Sequence, residues 1–135
     1  MRQMPIVEDL MDKVFETVTP DTRMGEAVDI LLRKKLTGIC VVNEDRNLVG
    51  ILSEKDCLKT LIHDGFYRVP DETVQHFMHP TPQTVESGMG ILAVAQIFLE
   101  VTFRRLPVVD NGKLVGQITR RDIVRGMTSF ITPNR

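Results

Sequence analysis

The chain has 135 residues, 42% apolar and 26% charged, the balance of an ordinary globular protein and too apolar for a disordered one. Seventeen Lys/Arg against eighteen Asp/Glu leave a net charge of -1, which argues against a non-specific nucleic-acid binder, since that needs a basic excess to pair with phosphates. The one near-continuous apolar stretch, Ile91 to Leu99 with Gln96 inside it, falls well short of the roughly 20 residues that span a bilayer. Met1 to Pro5 leads straight into Glu8 and Asp9 with no apolar signal core. Cys40 and Cys57 form no C-x-x-C pair, and two unpaired thiols fit the reducing cytoplasm. Cys40, in an apolar run, reads as a small core residue, and Cys57 as a helix residue.

An internal repeat organises the chain. Displaced by 67 residues, Val7, Met11, Thr17, Val18, Ile30, Leu32, Val41 and Val42 match Val74, Met78, Thr84, Val85, Ile97, Leu99, Val108 and Val109. After one deletion, Leu48, Val49, Gly50 and Asp56 match Leu114, Val115, Gly116 and Asp122. These are twelve identities over some 55 positions, where average composition gives roughly three or four. The expected organisation is an N-terminal segment with repeat 1 over 1–61, a linker over 62–73, repeat 2 over 74–128 and a tail over 129–135. Asp64, Gly65, Pro70 and Asp71 are the linker's turn formers.

Each repeat predicts the same order of elements. A short apolar segment comes first (Val7 to Met11, Val74 to Met78), then an extended piece at Thr17-Val18 or Thr84-Val85. A helix follows, with Met24, Ala27, Val28, Leu31 and Leu32 at helical spacing; Asp21 or Thr22 is expected to cap it, and Ser87 its counterpart. Two apolar runs then flank a polar turn, Ile39 to Val42 with Leu48 to Leu52, and Leu106 to Val109 with Leu114 to Ile118. Asn111-Gly112 between such runs is a strong hairpin signal. A closing helix begins near Ser53 or Thr119, and Gly126 is placed to end the second. One unit is too small to bury a core alone. Two copies packed sheet to sheet, with helices outside, are expected to give one α/β (α+β) fold with pseudo-two-fold symmetry.

The pattern glycine, two residues, hydroxyl, two residues, aspartate occurs twice, as Gly50 to Ser53 to Asp56 and as Gly116 to Thr119 to Asp122. With Arg105-Leu-Pro-Val-Val-Asp110, these motifs resemble a tandem pair of cystathionine-β-synthase-type (CBS) domains, a Bateman module, over nearly the whole chain. The resemblance implies a regulatory fold that binds AMP, ADP, ATP or S-adenosylmethionine at two related sites in the cleft between the repeats. The motif aspartate then meets the ribose hydroxyls, the motif hydroxyl meets ribose or phosphate, and basic residues before the Leu-Pro of the other repeat meet phosphate. Such modules usually form homodimers and signal to an attached or separate protein, here an unknown regulated partner, with no room in the chain for an attached one.

Taken by themselves, Ser53/Asp56 and Thr119/Asp122 are also helix capping boxes. The same geometry offers N–H groups and a positive dipole end to a phosphate. Over residues 7–61 repeat 1 carries eight Lys/Arg against eleven Asp/Glu, and over 74–128 repeat 2 carries six against four. The family's crossed pairing therefore implies two unequal sites. Site A joins Ile51, Ser53 and Asp56 with Arg104, Arg105 and Arg121, near Thr84 and Val85. Site B joins Thr119 and Asp122 with Thr37 and Gly38, near Thr17 and Val18. Site B lacks the arginine pair, has Cys40 and Asn43 in place of Pro107 and Asp110, and has Gln117 in place of an apolar residue. It suits a less charged adenosine compound, or none.

No cofactor is required on this reading beyond the adenine nucleotide as regulatory ligand, and no metal is expected. His76 and His79, with His63 upstream, fall short of a ligand set. The seven methionines read as core filler. Phe66 and Tyr67 cover the cleft or a dimer surface, or simply pack. No catalytic motif is present, so neither an enzyme nor a nucleic-acid or membrane binder is expected. The competing reading is a ligand-independent dimerisation or interaction module whose aspartates only cap helices.

Overall fold

The computed structural model describes residues 3–64, 72–80 and 82–132, the side chains of 63 and 64 apart. Most of the expected linker, with Phe66 and Tyr67, lies outside the described residues. The chain forms two compact units. Unit 1 takes the residues up to Phe15 and from Gln83 onward, and unit 2 takes Glu16–Pro82.

Unit 2 contains strand β1 (Thr17–Val18), helix α2 (Met24–Lys34), strands β2 (Gly38–Val42) and β3 (Leu48–Ser53) and helix α3 (Glu54–Asp64); a 3-10 turn (Val74–His76) closes it. The strands form one sheet in the order β1-β2-β3, with β1 parallel and β3 antiparallel to β2. Met24, Ala27 and Leu31 of α2 are buried in one cluster with Val18, Ile39, Val41, Leu52 and Cys57. Leu32, read as part of that apolar face, is instead 73% exposed. Lys35 turns left-handed (φ 57°) to end α2, and Leu36 N–H reaches back to the Leu31 carbonyl, the Schellman arrangement that satisfies the helix's last carbonyls.

Unit 1 contains helix α1 (Val7–Leu10), helix α4 (Ile91–Glu100), strands β4 (Arg105–Asp110) and β5 (Lys113–Thr119) and helix α5 (Arg120–Ile131). β4 and β5 pair antiparallel through Asn111 and Gly112, both at positive φ (52° and 83°), the two-residue turn that suits strand twist. The counterpart of β1 shrinks to one parallel bridge, Val85 to Val108. Val85, Ile91, Val94, Phe98, Leu106, Val108, Ile118 and Ile123 form this unit's core with Val7. The fold is α+β, with small sheets and helices, as expected.

Sequence repeats and compact units do not coincide, because each repeat's leading segment packs in the unit of the other repeat's strands. Asp12 exchanges backbone hydrogen bonds with Gln117 of β5 (2.8 and 3.0 Å), and His79 does the same with Ile51 of β3 (2.8 and 3.0 Å). The motif glycines permit this. A Cβ on Gly116 would lie 2.6 Å from the Met11 sulfur and 3.1 Å from the Asp12 carbonyl oxygen. A Cβ on Gly50 would meet Met78 and His79 at 2.6 and 3.0 Å. Met11 and Met78 thus fill the space left over a bare strand.

Three capping expectations fail. α2 starts after Arg23 and α4 after Gly90, neither with a side-chain cap. The Thr22 hydroxyl is used by Thr19 N–H (3.0 Å). Ser87 donates through Oγ (2.6 Å) and N–H (3.1 Å) to Asp110, which holds that carboxyl below the usual carboxylate range. Backbone bridges Arg23 to Thr73 and Ile6 to Gly90 fix the two helix starts instead. Gly126 does not end α5, which runs on to Ile131; it is buried where Leu10 packs, with no room for a Cβ.

Gly116→Val is expected to push the Met11-Asp12 segment off β5 and to lower stability by about 1–3 kcal/mol. Gly88→Ala, with open space around it, is the control. Equal urea midpoints for the two variants would contradict the close-approach argument.

Candidate functional site

Register decides which side chains share a face, since directly opposed residues in an antiparallel pair point the same way. In unit 2, Gly38 lies opposite Ser53, and Cys40 lies between Thr17 and Ile51. Thr17, Gly38, Cys40, Ile51 and Ser53 therefore occupy one face, and Val18, Ile39, Val41 and Leu52 line the core on the other. Thr37 adjoins this face, its carbonyl accepting from Glu54 N–H at 3.0 Å. In unit 1, Arg105 lies opposite Thr119 and Pro107 opposite Gln117, so Arg105, Gln117 and Thr119 share a face. Arg104 is held alongside, its carbonyl accepting from Arg120 N–H at 3.0 Å. Val18 and Val85, both expected at the site, are core residues at 4% and 2% exposure, and Val85's N–H and carbonyl are taken by Pro107 and Val109. Thr84 precedes the Val85 bridge.

Each motif sits where a strand turns into a helix. Asp56 Oδ2 accepts from Ser53 N–H and Oγ (both 2.9 Å), and Asp56 N–H donates to Ser53 Oγ (3.2 Å). Asp122 Oδ2 accepts from Thr119 N–H (2.9 Å), and Asp122 N–H donates to Thr119 Oγ1 (3.0 Å). Both are closed capping boxes. They differ in the second carboxylate oxygen. Asp122 Oδ1 takes Arg125 Nη2 at 2.7 Å, whereas Asp56 Oδ1 has no hydrogen-bond partner among the described residues.

Two features were missed from sequence. Gln117, read only as a departure from Ile51, is buried at 7% exposure and accepts from Arg105 Nη1 at 3.4 Å. The unit 2 counterparts are Gly38 and Ile51, so cation and acceptor are present together or absent together. Arg125, three residues after Asp122 on the same helix, was legible as a helical ion pair.

Unit 1 thus gathers Thr119, Asp122, Arg104, Arg105 and Arg121 at one end of its strand pair. Unit 2 gathers Thr17, Thr37, Gly38, Ile51, Ser53 and Asp56. Burial, with Asp56 and Glu54 nearby, pushes the Cys57 thiol up to about 11, which leaves it protonated and a poor nucleophile at neutral pH. Among the described residues no three His, Cys, Asp or Glu side chains gather as metal ligands, and no helix is long and apolar enough to cross a membrane.

Two strand-to-helix hydroxyl–aspartate motifs in duplicated α+β units define a tandem-repeat module. The chain belongs to the CBS domain family, which it matches over residues 7–63 and 74–129. It is 36% identical to the CBS domain-containing protein CBSX1, chloroplastic, of Arabidopsis thaliana, over 82% of this chain and 58% of that one. It is 39% identical to inosine-5'-monophosphate dehydrogenase of Aquifex aeolicus, over 81% of this chain and 22% of the enzyme. The chain therefore spans little more than half of the first relative and about a fifth of the second. The crystal structure of Arabidopsis CBSX2 in complex with AMP superposes with a TM-score of 0.82 at 32% identity, covering 94% of this chain and 98% of that one. The CBS domain pair of protein MJ0100, in complex with 5'-methylthioadenosine and S-adenosyl-L-methionine, gives 0.72 at 26% identity, covering 89% and 97%.

Ser53→Ala and Thr119→Ala should each remove a cap and lower the unfolding free energy by about 1 kcal/mol. Urea denaturation measures this, and unchanged midpoints would mean that the boxes do not hold the helix starts.

Proposed function

We propose that this chain is a regulatory module that binds an adenosine-containing ligand, AMP, ADP, ATP or S-adenosylmethionine, and signals to a partner protein. The observation that carries the reading is the open Oδ1 of Asp56, beside a hydroxyl and a helix N-terminus. A ribose diol needs an acceptor of that kind. CBSX2 with AMP and the MJ0100 pair with two adenosine compounds support the ligand class. The crossed pairing of site A is part of the proposal: Ile51, Ser53 and Asp56 receive the nucleoside, and Arg104, Arg105 and Arg121, near Thr84 and Val85, receive the phosphate. So is site B, with Thr119 and Asp122 joined to Thr17, Val18, Thr37 and Gly38. A ligand acts on the partner only through different affinities for two conformations.

A homodimer belongs to the same reading. Leu32, Leu58 and Ile62 are 73%, 58% and 70% exposed. Leu32 and Leu58 border an apolar groove of about 440 Å³ between α2 and α3, a surface that a second copy of the chain would cover. The module is not itself an enzyme, needs no cofactor, binds neither nucleic acid nor membrane, and works in the cytoplasm, where Cys40 and Cys57 stay reduced. The second reading, a ligand-independent interaction module, draws on the same groove and on capping boxes that close without a ligand.

The test is calorimetric titration of AMP and ATP into wild type, Asp56→Ala and Arg105→Ala, with folding checked by circular dichroism. Each variant should bind at least about tenfold more weakly, the effect of one lost charge-assisted hydrogen bond. Unchanged affinity in both folded variants would overturn site A.

A further inference from the structure

We propose that Met11 and Met78 form a matched pair of redox sites, where a peroxide converts the thioethers to sulfoxides and so releases the segments that cover the two sheet edges. The inference concerns a modification of the chain itself and does not rest on the adenosine-ligand reading. The two methionines hold equivalent places in the repeats. Each is the side chain nearest a motif glycine. The Met11 sulfur lies 2.6 Å from where a Cβ on Gly116 would stand, and the Met78 sulfur 2.6 Å from the same point on Gly50. Both glycines are buried, whereas both methionines are only partly buried. Each methionine thus touches solvent and covers bare backbone. The residue after it carries the edge pairing, Asp12 with Gln117 and His79 with Ile51.

The peroxide balances the step. The thioether sulfur attacks one peroxide oxygen, the O–O bond breaks, and the other oxygen leaves as water with both protons. The sulfur loses two electrons and the peroxide gains them. A flexible apolar side chain becomes a polar, chiral one. The new oxygen needs a hydrogen-bond donor or water. The strand N–H groups beside each glycine are already used: Gln117 N–H donates to the Asp12 carbonyl and Ile51 N–H to the His79 carbonyl, both at 3.0 Å. Nor is there room for an added atom where a Cβ does not fit. The sulfoxide therefore turns to water and draws its segment off the edge. Gln117 and Ile51 lie two residues before Thr119 and Ser53, so release of the edges reaches both motifs. The cysteines do not compete. Cys40 and Cys57 are buried and the Cys57 thiol is held protonated, whereas oxidation favours exposed thiolates. Thiol-dependent reductases return sulfoxides to thioethers, which makes the site reversible. Met24, fully buried, is the internal standard of protection.

The experiment exposes the whole chain to hydrogen peroxide. Peptide mass spectrometry reads sulfoxide at each methionine, hydrogen exchange reads the Gln117 and Ile51 amides, and urea denaturation reads stability. Met11→Leu/Met78→Leu is the companion variant, since a Met-to-Leu exchange nearly conserves volume. Met11 and Met78 should oxidise ahead of Met24. Exchange at Gln117 and Ile51 should then quicken at least about tenfold, the size of a small overpacking penalty, and the urea midpoint should fall. Methionine sulfoxide reductases with a dithiol should restore both. The Leu variant keeps Met4, Met24, Met89 and Met127 and should show neither change with peroxide. Sulfoxide at Met11 and Met78 with unchanged exchange at Gln117 and Ile51 would overturn the inference. So would oxidation of Met24 as fast as theirs, or an equal response to peroxide in the Leu variant. The exchange measured on wild type decides the matter even where the Leu variant folds poorly.

Discussion

The constraint on which the rest depends is the close approach of a leading segment to the outer edge of each hairpin. β3 and β5 would otherwise leave their backbone unpaired along that edge, at a cost for every buried group. Residues 11–12 and 78–79 close those edges, and they can do so only because Gly116 and Gly50 carry no Cβ. The glycine that opens each motif is therefore a packing requirement. It fixes the strand that ends, three residues later, at the hydroxyl and the helix start. The functional end of the motif inherits its position from the structural end.

That constraint also sets what could be read from the residues alone. The repeat, the hairpins and the closing helices were legible because periodicity, Asn111-Gly112 and the duplicated motif are local signals. The exchange of leading segments was not, because Val7 to Met11 and Val74 to Met78 look alike and nothing local says which hairpin each one meets. The helix caps were misread for a related reason. Ser87 and Thr22 have the right chemistry for capping, but Asp110 and Thr19 claim their hydroxyls across a turn or from another strand. Gly126 read as a stop signal, and its actual role depends on Leu10, distant in sequence. Of the expected site residues, Arg105 shares a strand face with Thr119, and Thr17, Gly38 and Ile51 share one with Ser53. Val18 and Val85 turn into the cores.

The two units share a scaffold and differ in charge. Both boxes close in the same geometry, so capping alone explains the duplication of Ser53/Asp56 and Thr119/Asp122. It does not explain why Arg120 and Arg121 occupy the first turn of α5, where the helix dipole disfavours cations. Nor does capping explain the half-engaged carboxylate of Asp56 beside a fully engaged Asp122. Asymmetry in a duplicated fold is where function separates from architecture.

The central claim is that an adenosine-containing ligand binds the folded chain. The most direct measurement is melting temperature on ligand-free protein against AMP, ADP, ATP, S-adenosylmethionine and NAD, with GTP as control. Ligand at 100 times its dissociation constant adds about 2.7 kcal/mol, or several degrees for a domain of this size. The account predicts a shift confined to the adenosine compounds. No shift with any of them, or an equal shift with GTP, would contradict it.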